Sequence, residues 1–457
     1  MSQEEKIKIA NTLKDLLKNG SKNQLRLFLN DQYPQDIAEA IEDLKEKERI
    51  TCFLLLDIEH AGDVLSELNN ETQKNLLKVL GSKKLAPIIS EMDIDDATEL
   101  ISNLEEEDKK EVIEDIPDPI HQAHIQEQIE YPDESAGRIM TTDILSLNSA
   151  MTIENAINYA RSKSEEFKST IYYIYVVDNT NTLVGVLSLR NLICADLNDL
   201  VKNQMETEII TCNVLDDQET VAKEIAKYNL IAIPIVDDLK KLKGVVTVDD
   251  VVDILKEETT EDIYQGSGIS DLGDADELIS SKVSYAYKAR LPWLLLTLLG
   301  QAIASFIIAR HNFTISHAPI AISFMPLLSG LSGNVGSQTS TIIIRGLVTG
   351  DIEVKHTIKH ILHELKTGIL LGLTCALITG LIAWYYHSMP FLGIVVGIAL
   401  IISMATGVFL GTVFPIILQS LRKDPAAASS PLITTLLDIF TFTIYLTIIT
   451  LTINRLN

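Results

Sequence analysis

Cysteine is scarce in this chain, and its few copies are far apart. The four cysteines are Cys52, Cys194, Cys212 and Cys375, and none of them forms a Cys-x-x-Cys pair. A disulfide scaffold or a zinc site needs closer spacing, so the sequence predicts reduced thiols in a cytosolic setting. The N-terminus also lacks the apolar stretch of a secretory signal peptide, because charges begin at Glu4.

Basic residues are outnumbered, and they are unevenly distributed. The chain has 38 Lys and Arg against 63 Asp and Glu. Residues 1–287 carry a formal net charge of −30, whereas residues 288–457 carry +5. The acidic half argues against nucleic acid as a partner, since phosphates require a basic surface, and it suits cations. An acidic surface also serves solubility alone. The split predicts an acidic soluble part fused to an apolar membrane part.

Five stretches are long and apolar enough to cross a lipid bilayer, which takes about 20 residues. They lie near 290–310, 318–347, 364–386, 390–420 and 430–453. Lys and Arg concentrate before the first stretch and in the loops that follow the second and the fourth. The positive-inside rule therefore predicts a cytoplasmic N-terminus and a C-terminus outside.

Carboxylates are almost absent from these stretches, and Asp438 is the only one that lies inside a stretch rather than at its end. A carboxylate at the centre of a membrane helix costs about 2.5–3.5 kcal/mol on insertion scales. One interpretation is a buried acid that is protonated or paired with a neighbouring Arg or Lys. We favour an ion site, because the other stretches carry charges only near their ends.

The second stretch is rich in residues that interrupt a helix or have small side chains. Asn334 and Gln338 are four positions apart, so they share one face of a helix. We expect these amides, with carbonyls freed around Gly333 and Gly336, to supply neutral oxygens to a hard cation. Close helix packing by small residues is the alternative. The interrupting residues are Pro319, Pro326, Ser329, Gly330, Ser332, Gly333, Gly336 and Ser337.

Residues 140–258 contain an internal repeat. Val176-Val177-Asp178 and the following Leu183–Ser188 return, in the same order and with the same spacing, as Ile235-Val236-Asp237 and Leu242–Thr247. Each copy predicts strand, helix, strand, turn, strand and helix. The pair resembles tandem CBS domains, a regulatory module.

Residues 1–135 show helical periodicity only. Segments 37–44, 61–68 and 97–104 are degenerate copies of one another and predict a small α-superhelical domain. Asp93, Asp95 and Asp96 fall at a predicted helix start, where acids also act as caps.

The connector after the repeat carries a run of acids from Asp249 to Asp262. Like charges at i,i+3 and i,i+4 repel one another, so the run is either a solvated face or a metal-dependent clamp that closes when a cation binds.

These motifs together resemble the MgtE family of magnesium channels over essentially the full length. The resemblance is carried by Pro326-Leu327-Leu328, Gly333–Thr341, Arg345-Gly346, Asp424-Pro425-Ala426 and Asp438. It implies a homodimer with a central Mg²⁺ pore. It also implies an N domain and a CBS pair that bind Mg²⁺ and close the pore through a connecting plug helix.

The resemblance also implies roles for single residues. Asp438 matches the pore aspartate, and Asn334 lies in the pore-lining motif. The family binds ATP in its CBS cleft; Arg190 fits that site, whereas Asn191 and Leu230 replace an expected acid and an expected aromatic residue. The implied regulatory metal ligands are Asp95, Asp96, Glu99, Glu219, Asp250, Asp253, Glu258, Glu261, Asp262 and Asp424.

The sequence thus predicts a multidomain membrane protein of the bacterial inner membrane. Its predicted parts are an α-superhelical N domain (1–135), an α/β tandem CBS pair (136–258), a connecting region (259–289) and an all-α five-helix membrane domain (290–457). The predicted function is Mg²⁺ import gated closed by cytosolic Mg²⁺. An ion-coupled carrier and a membrane-anchored sensor that moves no ion are the alternatives. No nucleophile–base pair, P-loop or zinc spacing favours an enzyme.

Overall fold

The structure is a computed structural model that describes residues 3–163, 173–270, 283–352, 357–387 and 389–456. It divides into two compact units, residues 1–258 and residues 259–457.

The first part of unit one is entirely helical, as predicted. Apolar residues at helical spacing, such as Ile37, Ile41, Val64 and Leu65, are fully buried in a common core. The three degenerate repeats fall on the helices α3, α5 and α8. The helices are α1 (Gln3–Asn19), α2 (Lys22–Leu29), α3 (Pro34–Glu42), α4 (Glu46–Phe53), α5 (Ile58–Ser66), α6 (Asn70–Leu80), α7 (Ser82–Ile89), α8 (Ile94–Ser102), α9 (Glu106–Asp115) and α10 (Pro119–Ile129).

Two three-stranded sheets follow, and they confirm the internal repeat. In each sheet the first strand pairs parallel with the second, which pairs antiparallel with the third. The register shifts at Val176/Val177 in one sheet and at Ile235/Val236 in the other, which are equivalent positions of the two copies. The elements are α11 (Ala136–Ile139), β1 (Ser146–Asn148), α12 (Ile153–Lys163), β2 (Tyr173–Val177), β3 (Leu183–Ser188), α13 (Leu189–Cys194), α14 (Val201–Gln204), β4 (Cys212–Asn213), α15 (Gln218–Tyr228), β5 (Ala232–Val236) and β6 (Leu242–Thr247).

The acidic connector is one continuous helix, α16 (Val248–Gly266), that starts in unit one and ends in unit two. It ends where Gly268 adopts a φ of +75° and the Ile269 amide donates to the Tyr264 carbonyl at 2.8 Å. This geometry is a glycine C-cap, which satisfies carbonyls of the last turn. The connecting region predicted over 259–289 lies partly outside the described residues, which end at Ser270 and resume at Val283.

Among the described residues of unit two, five helical segments are long and apolar enough to span a membrane, in agreement with the predicted stretches. The described helices of this unit are α17 (Val283–Arg310), α18 (Asn312–His317), α19 (Pro319–Ile322), α20 (Met325–Val348), α21 (Thr357–His387), α22 (Pro390–Ser420) and α23 (Ser430–Leu456). The five candidate spans are α17, α19 together with α20, α21, α22 and α23, and α18 is too short to be one. A short 3₁₀ helix, Pro425–Ala427, precedes α23.

One expectation about the second span is wrong. The backbone breaks only between α19 and α20, and α20 is continuous through Gly333 and Gly336, so no carbonyls are freed there. The glycines instead allow helices to touch. A Cβ on Gly336 would collide with the Leu437 side chain, and one on Gly411 of α22 would collide with the Gly336 carbonyl. Close packing by small residues is therefore what the stretch provides.

Candidate ion sites

Asp438 lies on α23 and is held by two neutral donors. The Gln301 amide on α17 donates to Oδ2 at 2.5 Å, and the Ser329 hydroxyl on α20 donates to Oδ1. Within the described residues, no Lys or Arg forms a salt bridge with this carboxylate, so the alternative of an Arg or Lys partner finds no support there. The half-buried carboxylate accepts one hydrogen bond on each oxygen. A carboxylate offers about four lone-pair sites, so acceptor capacity is left over.

Two close helix contacts bring these three helices together. A Cβ on Gly300 would collide with the methyl group of Thr435, and one on Gly333 would lie 3.4 Å from the methyl group of Thr434. Because Gly300 precedes Gln301, the close approach of α17 to α23 at this point places the amide beside Asp438. Small residues thus determine the geometry of the carboxylate site.

A polar row runs along one face of α20. Asn334, Gln338 and Thr341 are exposed, whereas Val335, Thr339 and other residues between them are buried. The predicted sharing of one face by the two amides is confirmed. This face is polar although the helix is long and apolar enough to span a membrane.

The second acidic site is in unit one, between the first turn of α8 and the first turn of α16. Asp250 Oδ2 accepts from the Thr247 hydroxyl at 2.6 Å. Asp95 is only partly exposed, and its Oδ1 is buried without a hydrogen-bond partner among the described residues. Acids are favoured at helix N-termini, but an unsatisfied buried carboxylate oxygen exceeds what capping requires. Capping alone therefore does not explain Asp95.

The carboxylates of this acidic site resist ionisation. Burial raises the pKa of Asp95 well above its usual range, and the charges of Asp250, Asp96 and Asp93 raise it further. Desolvation raises the pKa of Asp96 to about 7, with a further contribution from repulsion by Asp93, Glu99 and Asp250. The Asp96 residue as a whole is nevertheless exposed. Burial also raises the pKa of Asp250. A cation that binds here would relieve both desolvation and repulsion.

Glu258 forms a third acidic site with α15. The Gln218 amide donates to Glu258 Oε1 at 2.7 Å. Burial raises the pKa of Glu258 to about 7 despite this bond, and the nearby charges of Glu219, Asp217 and Glu134 add to the effect. Glu219 itself forms an ion pair with Lys223 at 2.7 Å.

The remaining residues predicted to bind metal or ATP are not among those that form these three sites. Asp253 is exposed on α16, while Glu261 and Asp262 are half-buried further along the helix. Asp424 Oδ1 caps the 3₁₀ helix by accepting from the Ala426 amide at 2.8 Å. Arg190 is exposed at the start of α13.

No group of three or more His, Cys, Asp or Glu side chains in the described residues has a geometry that already holds a metal ion. Mg²⁺ is commonly bound through one or two carboxylates and keeps several waters, so paired acids suit it better than a closed cage. Sequence reasoning missed Gln301, Gln218 and Thr247 as partners of these acids. For Ser329 the sequence indicates only an interruption of the second span.

Family models match most of the chain. Residues 325–448 match the MgtE divalent cation transporter model, and residues 32–134 match the MgtE intracellular N domain. Residues 136–198 and 196–257 each match a CBS domain. These matches confirm the predicted N domain and CBS pair.

Relatives matched over nearly their full length indicate the same family as the family models. The magnesium transporter MgtE of Bacillus subtilis (strain 168) is 34% identical over 443 residues, which cover 96% of each chain. The magnesium transporter MgtE of Thermus thermophilus is 34% identical over 446 residues, covering 96% of this chain and 98% of the relative.

Among solved structures, the soluble part of a magnesium transporter matches with a TM-score of 0.51 and 31% identity, covering 55% of this chain and 99% of that one. The cytosolic domain of the Mg²⁺ channel MgtE in complex with ATP matches with a TM-score of 0.51 and 35% identity, covering 54% and 99%. The relatives are transporters, in line with the expectation of a non-enzymatic function, and the chain belongs to the MgtE family of magnesium transporters.

Proposed function

We propose that this chain is a Mg²⁺-selective channel that imports Mg²⁺, and that Asp438 is its ion site. The observation that carries the proposal is a carboxylate on a membrane-spanning helix that is held by neutral donors. Neutral donors fix the orientation of the carboxylate without cancelling its charge. Because Mg²⁺ gives up its water reluctantly, we expect the free lone pairs of Asp438 to contact the waters of a hydrated ion.

The pore forms between two copies of the chain. Asn334, Gln338 and Thr341 are exposed on one subunit, and polar side chains at membrane depth normally face protein or water. A second subunit against this face would enclose a polar path lined by both copies, with two Asp438 carboxylates. The cytoplasmic placement of the acidic N-terminal half follows from the distribution of Lys and Arg.

Cytosolic Mg²⁺ closes the channel by binding to the acids of unit one. The support is the resistance to ionisation of Asp95, Asp96, Asp250 and Glu258, because a bound divalent cation would offset the desolvation and repulsion that each of them experiences. Asp250 and Glu258 lie on α16, the helix that continues into unit two. Binding of Mg²⁺ to these acids therefore acts on a helix shared by both units.

Nucleotide binding is a separate proposal. A cytosolic domain 35% identical to this chain is in complex with ATP. In this chain the exposed Arg190 is the residue we expect to contact a phosphate. Titration of the wild-type chain and of Arg190→Ala with ATP tests this role; equal affinity would remove Arg190 from the site.

Flux in liposomes tests the ion site. The full-length chain is reconstituted, and Mg²⁺ entry is followed with a trapped fluorescent indicator. We expect Asp438→Ala to abolish flux while the protein keeps the size of the wild type in detergent. Asp351→Asn, which removes an exposed acid outside the helices, is the matched control. Normal flux through Asp438→Ala would refute the assignment, and flux that depends on a proton or sodium gradient would favour an ion-coupled carrier.

A further inference from the structure

We propose that Gln301 and Ser329 are positioning residues that set the orientation of the Asp438 carboxylate and thereby the selectivity of the ion site. This inference rests on the proposed function, in which Asp438 contacts the hydrated ion. The two donors come from different helices, α17 and α20, and each occupies a different oxygen of the carboxylate.

The geometry restricts the carboxylate in a way that one donor would not. With a single hydrogen bond, a carboxylate remains free to rotate about its last bond, because that torsion has a broad energy profile. Donors on both oxygens fix the plane of the group and determine which lone pairs face the ion. A fixed carboxylate recognises a hydration shell of fixed size, which favours the rigid shell of Mg²⁺ over the flexible coordination of Ca²⁺.

The packing around the donors supports a positioning role. Gly300 allows α17 to contact Thr435, one turn before Asp438 on α23. Ser329 is supported in turn from its own helix, since its carbonyl accepts from the Ser332 hydroxyl, which contacts the Thr441 hydroxyl at 2.9 Å. The Gln301 side chain is exposed in the single subunit and is not needed to fill the core. Its contact with Asp438 is therefore a reason for a polar residue at this place.

Block by hexaamminecobalt(III), a rigid mimic of hydrated Mg²⁺, tests the proposal in liposomes that contain the full-length chain. We expect Gln301→Leu to raise the half-blocking concentration about tenfold, which corresponds to about 1.4 kcal/mol, and to lower the ratio of Mg²⁺ to Ca²⁺ flux. Ser329→Ala should act in the same direction. Thr297→Val, one turn away on α17, removes a hydroxyl that bonds to its own helix and should match the wild type.

Several outcomes distinguish a positioning role of Gln301 from a purely structural one. The proposal would be overturned if Gln301→Leu left both the half-blocking concentration and the ratio of Mg²⁺ to Ca²⁺ flux unchanged. This holds whether or not the total flux falls. Gln301→Glu keeps the shape of the side chain but does not donate when ionised, so it covers the case in which Gln301→Leu fails to fold. We expect it also to lower the Mg²⁺ to Ca²⁺ ratio, and a wild-type ratio would overturn the proposal. If Asp438→Ala retains flux, the proposed function fails instead.

Discussion

Replacement of Glu258 by Gln separates the charge of this residue from its packing. Glu258 is half-buried, and its Oε1 accepts from the Gln218 amide at 2.7 Å. Gln has the same size and can still accept that hydrogen bond through its own Oε1. The substitution therefore removes only the charge, which burial and the neighbouring acids Glu219, Asp217 and Glu134 oppose.

The sign and size of the effect follow from the pKa. The pKa of Glu258 is about 7 in the folded chain, against 4.5 for an unperturbed group. Because the folded state holds the proton more tightly, the metal-free protein loses stability as pH rises from about 4.5 to about 7. At about 1.36 kcal/mol per pKa unit the shift gives roughly 3 kcal/mol, and partial solvent screening reduces this to about 1–2 kcal/mol.

Calorimetry of the full-length protein in detergent, without divalent cations, measures this effect. Near pH 4.5 we expect Glu258→Gln and the wild type to unfold at the same temperature. At pH 8 the variant should melt about 2–8 °C higher, given about 2–4 °C per kcal/mol for a unit of this size. Mg²⁺ should reduce the difference in melting temperature between the variant and the wild type, because we propose that it binds the wild-type carboxylate. Glu208→Gln, which neutralises an exposed acid of the CBS pair, should show neither effect. A variant less stable than wild type at pH 8 would refute the reasoning.

Three further predictions concern the other sites. Asp95→Asn should raise the metal-free melting temperature at neutral pH, since it removes an acid whose ionisation burial opposes. It should also reduce the increase in melting temperature that Mg²⁺ causes; an unchanged increase would exclude Asp95 as a ligand. Gly300→Ala should destabilise the membrane unit by about 1–3 kcal/mol through overpacking, and Thr435→Ser should restore it by removing the methyl group, as thermal melts of single and double variants would show. Ala substitution of the connector acids should weaken inhibition by Mg²⁺ in a flux titration, whereas easier closure would mean that repulsion alone holds the channel open. The connector acids are Asp250, Asp253, Glu258, Glu261 and Asp262.

The controls for these predictions lie in the same units as the sites. Asp31→Asn neutralises an exposed acid in the helical N-terminal part and should leave the response to Mg²⁺ unchanged. Gly330→Ala adds a methyl group on α20 where nothing lies within 4 Å of the new atom, so it should be tolerated. An equal loss of stability in Gly330→Ala and Gly300→Ala would contradict the packing argument.

The sequence predicts those features that repeat at short range. The five spans follow from runs of apolar residues, and the two CBS sheets follow from alternation that returns with the same spacing in a second copy. The shared face of Asn334 and Gln338 follows from helical spacing alone. In each case the signal lies within one element, or in two copies that support each other.

Contacts between distant elements could not be read in the same way. Gln301 and Asp438 lie on the first and the last of the long helices of unit two, and nothing in the periodicity of α17 indicates which residue of α23 it meets. The role of the glycines of α20 could not be predicted from the sequence for a related reason. Glycine is typical both of broken helices and of tight helix packing, and only the position of Leu437 and Gly411 beside Gly336 decides between them.

The acids of this chain have two different kinds of surroundings, and the difference suits the two roles that we propose for them. Neutral donors hold the Asp438 carboxylate in place and do not cancel its charge. In the function that we propose, one carboxylate per subunit would attract a hydrated cation without trapping it. Asp95, Asp96 and Asp250 instead meet each other. Crowded acids release more free energy when a divalent cation binds, so a sensor built from them would respond to the cation concentration. A site with a single carboxylate would bind its ion weakly and so favour rapid passage. If the proposed roles are right, exchanging these two arrangements would give a pore that retains its ion and a sensor that does not detect Mg²⁺.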